Sequence, residues 1–269
     1  MATRAKSRTV LWRRSSFHTE KSSYAGVASA HAQETQALVL LAKAPIPGSV
    51  KTRLCPPLTP DEAASLHGSL ILDVIERSRS VPQIDRWISC WPSPGHPFFQ
   101  TLASRYGLRL CAQVGDELGM RMAHACQHLM ALGYHRVVLV GTDLPTLSPD
   151  QLRQAFSLLT AQDLVLGPTA DGGYYLIGMK RFMPELFQGI PWSTSQVFAL
   201  TQQKASGLGL SVGLVPPLRD LDTPSDLEAF IQLIHRTAHG GSLSARTGAV
   251  LQVLARRLLK REGTYDRVP

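Results

Sequence analysis

Short, nearly continuous apolar runs alternate with longer amphipathic segments along the middle of the chain. ALVLLA (37–42), RWISCW (86–91), LRLCAQ (108–113) and RVVLVG (136–141) carry few polar positions, which predicts strands covered on both faces. Between them, PDEAASLHGSLILDVIERS, HPFFQTLASRYG and LGMRMAHACQHLMALG repeat apolar residues every three or four positions, the spacing that lines one face of a helix. Strand and helix in alternation predict an α/β fold, a doubly wound, mostly parallel sheet flanked by helices.

Three helix starts share one device. TPDE (59–62), SPDQ (148–151) and TPSD (223–226) each place a hydroxyl N-cap, a proline in the first turn, and an acid or amide three residues after the cap. This is the capping-box pattern, with proline where its missing N–H costs nothing. Two of the starts follow an Asp at an expected strand end, in GTDLPTLSP and DLDTP. Carboxylates at that edge of a parallel sheet face the crevice where such folds bind ligands.

Composition narrows the partners. The chain has 269 residues, 44% of them hydrophobic, enough for a sizeable core, and no apolar run approaches the length of a membrane span. The net charge of +8 is held by the ends. Residues 1–36 contain six Lys/Arg and two Asp/Glu, as do residues 240–269, while 37–239 hold sixteen of each sign. A neutral body argues against nucleic acid as the partner. Residues 1–36 read as a basic extension or a transit-type segment outside the fold, 37–239 as the folded body, and 240–269 as a basic amphipathic helix and tail. Cys55, Cys90, Cys111 and Cys126 lack metal-site spacing and suit the reduced thiols of a cytoplasmic protein. His124 and His128 stand four apart on an expected helix, without the Glu or third ligand of a histidine metal site. Oligomeric state is not legible from the sequence.

The connection KAPIPGSVKTRLCPPL leaves the first strand at the ligand edge. Gly48 allows positive φ or close backbone approach, and Lys43, Lys51 and Arg53, with Thr52 between the last two, gather three cations on one short segment. Phosphate is the natural ligand, although a solvated basic loop has the same composition. Neither GxxxxGK[ST] nor GxGxxG is present, so P-loop and dinucleotide-binding readings lose support.

LLAKAPIPGSVKTRL, QVGDELGMRM, VVLVGTDLPTLSPDQL, LVLGPTADGGYYLIGM, PWSTSQV and LRDLDTPSDL occur in an order that resembles a bacterial family of GT-A-type nucleotide-diphospho-sugar transferases. More distantly the chain resembles molybdenum cofactor guanylyltransferase and phospholactate guanylyltransferase. The resemblance spans about residues 37–232. It implies a nucleotide-binding loop at Lys43, Gly48, Lys51, Thr52 and Arg53, and a nucleobase segment with Gln113, Gly115 and Gly119. It also implies a Mg²⁺ or Mn²⁺ ion held by Asp143 and Asp222, with Lys51 and Arg53 offsetting phosphate charge. Asp171, Gly172 and Gly173, with Trp192, Ser193 and Thr194, would fall on the acceptor side, and Asp171 joins Lys51, Arg53 and Asp143 as a catalytic candidate.

Five of these residues also read more simply: Gln113 as a polar strand end, Asp171-Gly172-Gly173 as a hairpin turn and Trp192 as core. The chain has Gly141 where many enzymes of the fold carry the first acid of Asp-x-Asp, which places more weight on Asp222. The expected activity is glycosyl transfer from a nucleotide-sugar donor to a small-molecule acceptor. The alternatives are nucleotidyl transfer from a nucleoside triphosphate, which the cationic loop favours, and a non-catalytic nucleotide-binding module.

Overall fold

The computed structural model describes residues 35–236 and 243–265, with side chains as far as 258. The basic segment 1–34 therefore lies outside the described residues. The body begins slightly earlier than the charge pattern suggests, because Gln36 already belongs to the first strand, β1 (Gln36–Lys43).

The remaining strands are β2 (Asp85–Trp91), β3 (Arg109–Ala112), β4 (Arg136–Val140), β5 (Leu164–Pro168), β6 (Tyr174–Met179) and β7 (Val212–Leu214). They form one sheet in the order β3-β2-β1-β4-β6-β5-β7. Every pairing is parallel except those of β6, which runs antiparallel to β4 and β5. The chain leaves β1, builds outward through β2 and β3, then returns to place β4 on the other side of β1. That reversal creates a crevice outside the carboxyl ends of β1 and β4, the position at which open α/β sheets receive ligands.

Among the described residues there are seven α-helices: α1 (Pro60–Ser78), α2 (Pro97–Tyr106), α3 (Leu118–Ala131), α4 (Pro149–Ala161), α5 (Val197–Gly207), α6 (Pro224–Arg236) and α7 (Ala245–Tyr265). Alternate residues of β1 divide the core. Leu38 and Leu40 pack with Ile71, Phe99 and Leu152 of α1, α2 and α4, whereas Ala37 and Val39 pack with Met122, Leu129 and Ala205 of α3 and α5. Burying both faces is why the strands read as continuous apolar runs. A third cluster joins the outer side of α1, through Leu66 and Leu70, to Leu227 and Phe230 of α6 and Leu251 and Leu254 of α7.

All three expected capping boxes form. Thr59 and Ser148 accept from the backbone of Glu62 and Gln151 while those side chains return to the cap N–H, and Thr223 and Asp226 do the same for α6. Such caps contribute about 1 kcal/mol each. They also set where each loop stops, so the segments between strand end and helix start are held at both ends.

Candidate active site

Loops following β1, β4 and β7 meet over the crevice. Asp143 stands three residues beyond the end of β4, and its backbone carbonyl accepts from the Leu221 N–H at 2.9 Å, which ties the Asp220–Asp222 segment to the same strand end. Lys51 enters from the β1 loop. Its backbone is left-handed (φ 51°, ψ 33°), a conformation that a non-glycine residue adopts only when its surroundings hold it there. The side chain is 2% exposed, and its ammonium donates to Leu221 O at 2.6 Å. It lies 2.8 Å from Asp143 Oδ1 and 3.5 Å from Asp222 Oδ1. Arg53 Nη1 reaches Asp222 Oδ2 at 3.1 Å from the solvent side.

His67, on the inner face of α1, completes the enclosure of Asp143. Its Nδ1 is 3.3 Å from Asp143 Oδ1, and its Nε2 faces the Lys43 carbonyl at 3.1 Å. Burial pushes the Asp143 carboxyl up, but the Lys51 ammonium and the His67 ring outweigh it and hold the group well below the usual carboxylate range. Oδ1 is shut off from solvent while the side chain as a whole keeps 39% of its surface, so the open part lies on the Oδ2 side. Asp222 keeps 35%. Two partly exposed carboxylates at a cavity suit a hard divalent cation whose other ligands come from phosphate and water. Among the described residues no group of three or more His, Cys, Asp or Glu side chains forms a metal site.

The crevice opens into a cavity of about 620 Å³, within the range of small-molecule and cofactor sites. Lys43, Lys51, Thr52, Arg53, Gln113, Asp143, Asp171, Gly173, Trp192, Ser193, Thr194 and Asp222 all line it. Residues from six separate connections thus converge on one space. Leu118, Met122, Leu139, Ile177 and Trp192 add apolar surface to the lining.

A family model described as an uncharacterized protein conserved in bacteria (DUF2064) matches residues 74–194. A crystal structure from Desulfovibrio desulfuricans G20, assigned by inference as a nucleotide-diphospho-sugar transferase, is 32% identical. Its TM-score is 0.72, and the match covers 81% of this chain and 94% of that one. The chain belongs to this transferase family. Two more distant structures match at lower similarity. CMP:2-keto-3-deoxy-manno-octonic acid synthetase complexed with CTP is 14% identical, with a TM-score of 0.48 over 75% of this chain and 99% of that one. The 4-diphosphocytidyl-2C-methyl-D-erythritol synthase of Anaerococcus prevotii DSM 20548 is 11% identical, with a TM-score of 0.49 over 74% and 96%. No curated protein matches the chain.

Several of the glycines meet requirements of the chain's own packing. Gly48 (φ 77°) lies outside the cavity lining with open space around it, so its requirement is the positive φ of the turn. Gly115 (φ 126°) likewise turns the chain, and a Cβ there would meet Met120 at 2.4 Å. At Gly119 a Cβ would lie 2.2 Å from Trp192 Nε1, so the indole fills the space that the missing side chain leaves. Gly172 (φ 89°) gives way to the Ser195 carbonyl, and the Asp171 carboxylate accepts from Thr169 and from the Gly173 N–H, so Asp-Gly-Gly is a hairpin turn as well as part of the cavity wall. Gln113 donates its amide to Ala42 O and Ser89 O at 3.1 and 2.8 Å, which leaves only its carbonyl for a ligand.

Three further residues belong to the site. His67 reads in sequence as one more position on the buried face of α1. Arg121, which lines the cavity and donates to Gly115 O at 2.9 Å, reads as helix-surface charge. Asp220 gave a faint signal as the first acid of DLD. Burial, then the Asp171 charge, pushes its carboxyl up to about 6. His124 and His128 are stacked on each other, their centroids 6.2 Å apart, with His128 edge-on to Trp87.

Among the described residues no helix is long and apolar enough to cross a membrane.

Proposed function

We propose that the transferase moves the sugar of a nucleotide-diphospho-sugar to a hydroxyl of a small-molecule acceptor, with Mg²⁺ or Mn²⁺ held by Asp143 and Asp222. The observation that carries this reading is the pair of half-open carboxylates at the cavity beside Arg53. The relative at 32% identity supports the same donor class.

In the reaction the acceptor oxygen bonds to the anomeric carbon, the bond from that carbon to the diphosphate breaks, and a nucleoside diphosphate leaves. A bound divalent ion supplies Lewis acidity to the departing diphosphate. Arg53, with 67% of its side chain exposed, and Lys43, exposed above the Trp91 ring, are placed to bind the phosphates from the loop side. Arg121 adds a cation from the start of α3. Asp171 is the base placed for the acceptor proton, since its turn engages Oδ1 and leaves Oδ2 free. The Lys51 ammonium already faces two carboxylates and a carbonyl, which removes it from the cations available to a triphosphate and weakens the nucleotidyl alternative.

The test is thermal stabilisation against nucleotide-sugars and their parent triphosphates, with and without Mg²⁺ or Mn²⁺. A ligand at a hundred times its Kd adds about 2.7 kcal/mol, a visible change in Tm. A sugar nucleotide with metal is expected to raise Tm. Stabilisation by a triphosphate and not by its sugar nucleotide would replace glycosyl transfer with nucleotidyl transfer.

A further inference from the structure

Lys51 is the most enclosed charge at the site. An ammonium has three N–H donors. Lys51 donates one to the Leu221 carbonyl at 2.6 Å, and the ammonium also lies 2.8 Å from Asp143 and 3.5 Å from Asp222, so protein groups surround its charge. With 2% of its side chain exposed, it sits behind the carboxylates rather than between them and solvent. Its left-handed backbone fixes the direction of entry, and Leu54 N–H donates to its carbonyl at 2.9 Å to close the turn.

We propose that Lys51 is an internal counter-ion that makes metal binding conditional on phosphate: the Asp143–Asp222 pair accepts a divalent ion only together with the nucleotide's diphosphate. The inference rests on the metal site proposed above. It follows from charge balance where water screens poorly. Two carboxylates and one buried ammonium sum to −1. A divalent ion alone brings the cluster to +1, whereas an ion arriving with a diphosphate brings its own negative charge. Without Lys51 the carboxylates sum to −2, which a divalent ion neutralises by itself. Arg53, exposed and screened by solvent, opposes a lone cation in the same direction but more weakly.

The experiment is Mn²⁺ binding to the full chain, followed by the free-ion electron paramagnetic resonance signal and by calorimetry, with and without pyrophosphate. Wild type is expected to bind Mn²⁺ weakly alone and at least about tenfold more tightly with pyrophosphate. Lys51→Met should bind Mn²⁺ alone at least about tenfold more tightly than wild type, and Asp222→Asn added to it should remove that gain. A lysine that only shaped the site would give the opposite sign, since its loss would weaken metal binding. Equal affinity in wild type and Lys51→Met overturns the inference. Should Lys51→Met not fold, Lys51→Gln takes its place, and the wild-type arm decides independently: tight Mn²⁺ binding without pyrophosphate, abolished by Asp222→Asn, overturns the counter-ion role. If wild type binds Mn²⁺ with pyrophosphate but neither Lys51 variant binds it alone, this inference falls and the metal site stands. If no Mn²⁺ binds in any arm, both fall.

Discussion

Two buried clusters of acid and base, one on each side of α1, are built in opposite senses. Between α1 and α7, Asp73 has a side chain 1% exposed and accepts from the hydroxyls of Ser244 and Thr247 and from Arg246 Nη1 at 2.7 Å. Arg246, 32% exposed, sits at the rim and extends Nη2 to Glu76. There the acid is saturated and the base touches water. At the cavity the base is sealed, with Lys51 at 2% exposure, and the acids stay open at 39% and 35%. A saturated carboxylate has no capacity left for a ligand, so the first cluster can only hold helices together. An open carboxylate backed by an enclosed ammonium keeps acceptor oxygens for something that arrives later.

Breaking the closed cluster should produce the largest stability change. Asp73→Ala leaves Arg246, Ser244 and Thr247 without their shared acceptor, and urea unfolding should show a loss of about 3–5 kcal/mol, as expected when one partner of a buried pair is removed. A loss below about 1 kcal/mol would mean that α7 is held by its apolar contacts alone. Breaking the open cluster should instead strike turnover. Asp143→Asn keeps the shape and removes the charge, and sugar transfer should fall by about 10²–10³-fold, equivalent to ~2.7–4 kcal/mol, while the far-ultraviolet spectrum stays native. Undiminished turnover would sink the role given to that carboxylate.

Smaller effects sharpen the contrast within the cavity. Gly119→Ala drives a methyl into the Trp192 indole and should cost about 1–3 kcal/mol, with a shift in tryptophan fluorescence as the ring is displaced. An unchanged spectrum would show that the indole does not rest there. Asp220 carries the smallest prediction. Its folded carboxyl is raised from 3.8 to about 6, so the folded state holds its proton more tightly than the unfolded chain. That contribution is complete below pH 4 and is lost as pH rises to 6, above which the ionised acid is a liability. In the metal-free protein with chelator, Asp220→Asn should therefore gain up to about 1 kcal/mol at pH 8, after allowance for solvent screening, and nothing at pH 4. A gain that grew toward low pH would reverse the assigned sign.

The elements were legible because their causes are local. A strand covered on both faces must be apolar throughout, a helix on a sheet must repeat every three to four residues, and the caps at Thr59, Ser148 and Thr223 satisfy their own N–H groups within three residues. The loop 43–54 and the acids Asp143 and Asp222 could be placed at one edge of the sheet by the same logic, since each directly follows a strand or precedes a capped helix, whereas Asp171 came only from the family resemblance. The glycines were harder to read. Absence of a side chain looks the same whether the space is filled by a ligand, by an indole as at Gly119, or by a carbonyl as at Gly172.

The sequence by itself determined the alternation of strand and helix, the starts of three helices, and the presence of cations and carboxylates at the ligand edge, because these depend on residues within a few positions of one another. The tertiary structure alone decided that Lys51 turns inward to Asp143 and Asp222, that His67 closes over the same carboxylate, and that Asp220 is crowded by Asp171. The Lys51 ammonium meets a carbonyl 170 residues further along the chain. No local pattern encodes that distance; packing of the sheet brings the two together, and burial then decides which charges meet water and which meet each other.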